Sequence, residues 1–151
     1  MRAVIQRVKA SSVTVGGELV SEIGQGLNVL LGVEKGDSAE EADYLAGKIA
    51  RLRIFEDDSG KMNRSVTDVG GSILAVSQFT LLGDAAKGNR PSFINAEAAG
   101  RADDLYEYFV QALKDSGVTD VKKGVFGADM TVGITGDGPV TILMDTRTMR
   151  K

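Results

Sequence analysis

The chain has no cysteine, no histidine and no tryptophan, and only two prolines among its 151 residues. The missing cysteines exclude disulfides and thiolate metal sites and fit a reducing compartment, so a cytoplasmic location is expected. The missing histidines exclude imidazole triads and the usual hydrolytic zinc sites. Long apolar runs are missing too. No stretch approaches the roughly 20 residues that a membrane-spanning helix needs. Nor is there an excess of positive charge, since the net charge is −3. Wrapping DNA requires many phosphates to be neutralised, so no DNA partner is expected. Chemistry in this chain must run on carboxylates, hydroxyls, amides, backbone groups or the substrate itself.

What is present is ordinary globular usage, 42% apolar and 26% charged residues, in one expected domain over 1–151. Strand-like patterns cover 2–8, 12–15, 19–23 and 27–33, with Gly16-Gly17 as a hairpin signal and Gly24-Gln25-Gly26 as a second turn. A first helix opens at Ser38, with Glu41 in a capping-box relation, and buries Ala42, Leu45, Ile49 and Leu52. Glu40, Glu41 and Asp43 read as first-turn anions favoured by the helix dipole rather than as a metal site. The run 73–79 lacks alternation and reads as a strand covered on both faces. A second helix is expected from about 96 to 116, with a stripe of Ala102, Leu105, Phe109, Ala112 and Leu113 and a stop at Gly117. Closing strands follow at 122–125, 130–134 and 140–145. The pattern is an α+β domain of layered, barrel-like β-sheets with two helices packed on one face.

Pro139 interrupts the last of these strand segments. Proline lacks the ladder N–H, so it marks an edge, a first strand position or a bulge. A Gly-Pro step also lets carbonyls face a pocket uncovered by side chains. At the other candidate segment, Ser77-Gln78-Phe79-Thr80-Leu81 ends an apolar run in small polar groups. Strand alternation would place Gln78 and Thr80 on one face and Ser77 and Phe79 on the other. A threonine nucleophile needs a base, and N–H groups at a strand end can instead stabilise an oxyanion. On spacing alone, Thr80 reads equally as a strand terminator and Phe79 as core. Gly24-Gln25-Gly26 lacks the third glycine and the helix of a dinucleotide loop, and no Walker loop occurs. Paired carboxylates leave magnesium binding open at Asp57-Asp58, in a turn, or at Asp103-Asp104, though the latter diverge on a helix and read rather as a solvated face. No metal or cofactor is assigned. Lys87-Gly88-Asn89-Arg90, Lys122-Lys123 and Arg147 to Lys151 are short basic patches, suited at most to gripping an RNA end.

Taken together, Ser77-Gln78-Phe79-Thr80-Leu81 and Gly138-Pro139-Val140-Thr141 resemble the motif pair of the D-aminoacyl-tRNA deacylases. The resemblance extends in order through residues 1–8, 58–63, 87–93 and 124–130. Gly136 departs from an asparagine that is usual before the Gly-Pro, and Leu82 from a common tyrosine. The resemblance implies hydrolysis of the ester joining a D-amino acid to the acceptor 3′ end of tRNA, and removal of glycine mischarged on tRNA-Ala. It also implies a homodimer with the active site at the subunit interface, where a cis Gly138-Pro139 of one copy reaches into the other. Arg7 would steady that loop, and Phe79, Phe126 and Met130 would line an adenosine pocket. Ser77, Gln78, Phe79 and Thr80 would form the catalytic segment, with Thr80 as nucleophile or with backbone N–H groups and the adenosine 2′-hydroxyl assisting water. Rival readings are a noncatalytic tRNA 3′-end binding module and a Thr80-dependent hydrolase of small esters.

Overall fold

The computed structural model describes residues 1–150. Strand β1 (Arg2–Val15) organises the sheet. Along one edge it pairs antiparallel with β3 (Gly26–Gly32) over its first half and with β2 (Glu18–Ile23) over its second. Along the other edge it pairs with β8 (Met130–Asp145) over its whole length. Beyond β3 lie β6 (Ser72–Ser77) and β7 (Val121–Lys123), both parallel to their neighbours. The sheet curls until β2 approaches β7, where the Ser21 hydroxyl donates to the Lys123 carbonyl at 2.7 Å. The result is a nearly closed barrel, with β4 (Phe55–Glu56) and β5 (Met62–Arg64) forming a small separate hairpin.

Helices α1 (Ala39–Arg51) and α2 (Ala99–Asp115) cover one face. Their Leu45, Ile49, Leu105, Phe109 and Leu113 join Ile5, Leu27, Val29 and Ile73 in the main core. Val8, Val13, Ile23, Leu74 and Val76 form a second cluster on the opposite face. Ile73 and Ala75 thus lie in one core and Leu74 and Val76 in the other, which explains the unbroken apolar run of β6.

The expected strands at 2–8 and 12–15 are one continuous element. The polar break between them is absorbed locally. Ser11 is buried, accepts from Asn28 Nδ2 at 2.8 Å and donates to the Gly133 carbonyl at 2.8 Å. Helix α2 starts at Ala99, later than expected, because the preceding residues are held by the end of β3: Glu97 N donates to the Val33 carbonyl at 3.0 Å. Among the described residues a short third helix, α3 (Thr146–Met149), follows β8 in the basic stretch.

Helix α1 begins with the expected capping box. The Ser38 N–H and hydroxyl both donate to Glu41 Oε2, at 2.6 and 2.7 Å, and Ser38 Oγ accepts from Glu40 N at 3.3 Å. Burial raises the Glu41 pKa, but the Ser38 hydrogen bonds outweigh it and hold the carboxyl below its ordinary value of 4.5. Its stabilising contribution is therefore complete above pH 4.5 and is lost as the pH falls through the lower folded value. Ser38→Ala is expected to cost about 1 kcal/mol in urea unfolding at neutral pH, and the deficit should shrink in acid. Asp43 is not part of this cap: it lies beyond the first turn and accepts from the Tyr108 hydroxyl of α2 at 2.9 Å.

Strand β8 passes through Pro139, but its ladder with β1 does not. Val8 pairs with Gly136 and Gln6 with Thr141, so Asp137, Gly138, Pro139 and Val140 stand opposite Arg7 alone. The proline is thus accommodated in a bulge, where its missing N–H costs no ladder bond.

Candidate active site

A pocket of about 530 Å³ opens at the carboxyl ends of the parallel strands β3, β6 and β7, beside the start of α2. Ser77, Gln78 and Phe79 line one part, Phe126 and Met130 another, and Glu97 a third. A crevice outside the carboxyl ends of parallel strands is a common ligand position in sheets of this kind.

The catalytic segment differs from the expected strand end. β6 stops at Ser77, and Phe79–Leu82 form a 3-10 turn. Gln78 N still donates to the Leu31 carbonyl at 2.7 Å, continuing the ladder by one residue before the chain turns away. Gln78 and Thr80 meet through this turn rather than by strand alternation, with the Gln78 side-chain amide donating to Thr80 Oγ1. The first hydrogen bond of the turn comes from Leu81 N to the Gln78 carbonyl at 3.2 Å. The N–H groups of Phe79 and Thr80 precede it and have no acceptor within the turn.

Phe79 is not core. It is 55% exposed at the pocket rim, with its ring edge-on to Phe93 at 5.3 Å between centroids. Phe126 lies 6.3 Å from the ring of Tyr106. Burial pushes the Tyr106 phenol well above its ordinary pKa, so it remains a fixed donor, bonded to the Ala75 carbonyl at 2.7 Å. Met130 Sδ accepts from Val125 N at 3.4 Å, tying the two ends of the 125–130 loop together.

Gly138, Pro139 and Arg7 lie elsewhere in the chain. Neither Gly138 nor Pro139 lines the pocket. The Gly138–Pro139 peptide is cis, and Gly138 has φ +131°. Arg7 is buried behind the bulge. Its Nε donates to the Asp137 carbonyl at 3.1 Å and lies 3.3 Å from the Asp137 carboxylate, while Nη1 donates to the Ile54 carbonyl at 2.7 Å. The bulge is braced by this guanidinium, and a side chain at Gly136 would meet nothing within 4 Å. In one chain, then, the two candidate groups are separate, and Arg7 borders a different hollow of about 240 Å³ with Gln25, Phe55 and Asp137.

Other expected candidates are occupied structurally. Asp57 Oδ1 accepts from the N–H groups of Ser59 and Lys61, and Oδ2 from Asn63 Nδ2. The Asn63 bond is the main reason its carboxyl is held below the ordinary value. Asp58 pairs with Arg64 at 3.0 Å. Among the described residues no group of three or more metal-ligating side chains gathers, and no helix is long and apolar enough to cross a membrane. Lys123 pairs with Glu107 at 2.9 Å, and Arg147 with Glu34 at 2.7 Å. Lys87 and Arg90 remain exposed on the loop leading to Phe93. The last residue of the basic stretch, Lys151, lies outside the described residues. Glu97 escaped the sequence reading, because an acidic residue just ahead of a helix reads as part of its start.

A model of the D-Tyr-tRNA(Tyr) deacylase family matches residues 4–145. A D-aminoacyl-tRNA deacylase of Thermus aquaticus is 57% identical over 146 residues, covering 97% of this chain and 95% of the relative. One of Pelobacter propionicus is 58% identical over 145 residues, covering 96% and 99%. A solved structure described as a c-Myc DNA unwinding element binding protein superposes with a TM-score of 0.91 at 46% identity, covering 96% of this chain and 98% of the other. A probable eukaryotic D-amino acid tRNA deacylase shares the fold, with a TM-score of 0.79 at 18% identity over 95% and 97% of the two chains.

Proposed function

We infer the reaction from one premise: this chain belongs to the D-aminoacyl-tRNA deacylase family. It is an ester hydrolase that releases the D-amino acid from D-aminoacyl-tRNA. The observation that carries the assignment within the molecule is the pocket that unites Ser77, Gln78 and Phe79 with Phe126 and Met130. Phe79, Phe126 and Met130 offer the aromatic and thioether faces on which a terminal adenine packs.

Chirality is enforced by main chain. D and L esters differ only in which Cα substituent is hydrogen, so rejecting every L residue requires a wall where the L side chain would go. Backbone makes a better wall than a side chain because it has no alternative rotamer. Gly138 and Pro139 supply it, together with carbonyls that accept from the substrate amino group, and they act on the pocket of a second copy. Their separation from the pocket within one chain, and the Arg7 brace behind them, support this reading. Glycine has no side chain to reject, so glycine mischarged on tRNA-Ala is also a substrate. The enzyme thus proofreads charged tRNA, in the cytoplasm, as a homodimer.

The chain has no imidazole or thiol to deprotonate Thr80, and the side-chain partner of its hydroxyl, the Gln78 amide, is not a base. The Phe79 and Thr80 N–H groups polarise the ester carbonyl, and the adenosine 2′-hydroxyl assists the attacking water. Thr80→Ala should therefore lower kcat on D-tyrosyl-tRNA by less than about tenfold, whereas loss of a nucleophile costs on the order of 10⁴-fold or more. The function as a whole is tested by release of tyrosine from matched D- and L-tyrosyl-tRNA, with free D-tyrosine esters alongside. Fast release from the D-tRNA alone is expected. Binding without turnover would leave a tRNA-end binding module, and equal cleavage of the free ester a small-ester hydrolase.

A further inference from the structure

The pocket that would take the end of a polyanion carries two carboxylates, Glu97 and Asp129, and no lysine or arginine in its wall. Glu97 is half-buried, its side chain 13% exposed, and Asp129 is exposed. Its position is set at three points. Its N–H donates to the Val33 carbonyl at 3.0 Å, Oε1 accepts from Ala98 N at 2.8 Å, and Oε2 lies 3.3 Å from Arg101 Nε. The Ala98 N–H is the main cause holding its carboxyl below the ordinary value, so it is ionised at neutral pH.

A charged tRNA presents one cation at its 3′ end, the α-ammonium of the amino acid. Main-chain carbonyls offer that group dipoles but no net countercharge. We propose that Glu97 is a specificity residue for the α-amino group, favouring esters that carry a free ammonium over the same esters with a neutral α-substituent. This rests on the deacylase reading given above. Arg101 is about half exposed and is also tied to the Asp37 carbonyl at 2.6 Å, so it offsets the charge only in part, and Asp129 adds to it. Charges sharing a pocket of this size lie within about 10 Å, inside the range over which salt leaves them coupled.

The test compares D-phenylalanyl-tRNA with D-phenyllactyl-tRNA, in which a hydroxyl replaces the ammonium at nearly constant shape. Glu97→Gln keeps the acceptor for Ala98 N. It should lower kcat/KM about tenfold on the amino ester, mainly through KM, and by less than twofold on the hydroxy ester. Glu97→Asp should restore much of the preference. Independently of any variant, the amino-to-hydroxy ratio of the unaltered enzyme should fall as salt rises, since the tRNA contribution cancels in the ratio. Equal loss on both esters, or a salt-independent ratio, would overturn the proposal. Failure of the unaltered enzyme to hydrolyse either ester would instead overturn the deacylase reading on which it rests.

Discussion

Gly26→Ala is expected to destabilise the protein by about 4 kcal/mol or more, lowering Tm by about 10 °C. Gly26 opens β3 directly against Ser72 of the parallel strand β6. A Cβ there would lie 1.8 Å from the Ser72 carbonyl oxygen and 2.8 Å from its nitrogen. The obstacle is backbone, so no rotamer change relieves it, and the two strands must part. That loosens the β3–β6 pairing, which joins both cores and ends at the pocket. The effect should exceed the 1–3 kcal/mol typical of overpacking, where side chains can give way. Urea or thermal unfolding followed by circular dichroism measures it, and Gly24→Ala, with open space around its Cβ, serves as the neutral comparison.

The second large effect falls on activity rather than stability. Gly138→Ala should reduce kcat/KM on D-aminoacyl-tRNA by about 100-fold and erode the preference for D over L esters, because displacing a positioning group by about 1 Å costs that much. At φ +131° an L side chain is strained, and its Cβ would lie 2.8 Å from Val140 Cγ2 and 2.9 Å from Val140 N, with Arg7 Nη2 at 3.2 Å. The residue cannot keep its present conformation, so the carbonyls on either side must move. The bulge stands outside the β1–β8 ladder, so the thermal midpoint should change much less than for Gly26→Ala. Single-turnover release from matched D and L substrates reads the effect directly.

Much of this architecture is legible in local pattern. Ser38 and Glu41 announce α1, the unbroken apolar run announces a strand buried on both faces, and Pro139 announces a break in the ladder, with a bulge one of three ways to make it. The failures have a common cause in distant pairing. Residues 78–82 alternate polar and apolar like a strand. They leave the sheet because Glu97 N takes the Val33 carbonyl, so the edge that β6 would have extended along is occupied. The same pairing delays the start of α2 and carries Glu97 into the pocket. Nothing within either segment encodes it. Arg7 offered a signal of its own: it falls on the buried face of β1 shared by Ala3 and Ile5, where a charge must have a partner. Its partner, the Asp137 bulge, lies on the neighbouring strand β8 but 130 residues further along the chain, and family likeness rather than spacing linked the two.

The claim that one copy guards the pocket of another is tested most directly by mixing two inactive variants. Ala128→Trp fills the pocket, which Ala128 lines, and leaves the bulge intact; Gly138→Ala disturbs the bulge and leaves the pocket intact. Co-refolded in equal amounts, they should regain D-aminoacyl-tRNA hydrolysis at about a quarter of the unaltered level, from mixed dimers that each hold one complete site. If the mixture stays as inactive as its components while mixed dimers are demonstrably present, each pocket works with its own chain's Gly138 and Pro139, and the shared site is wrong.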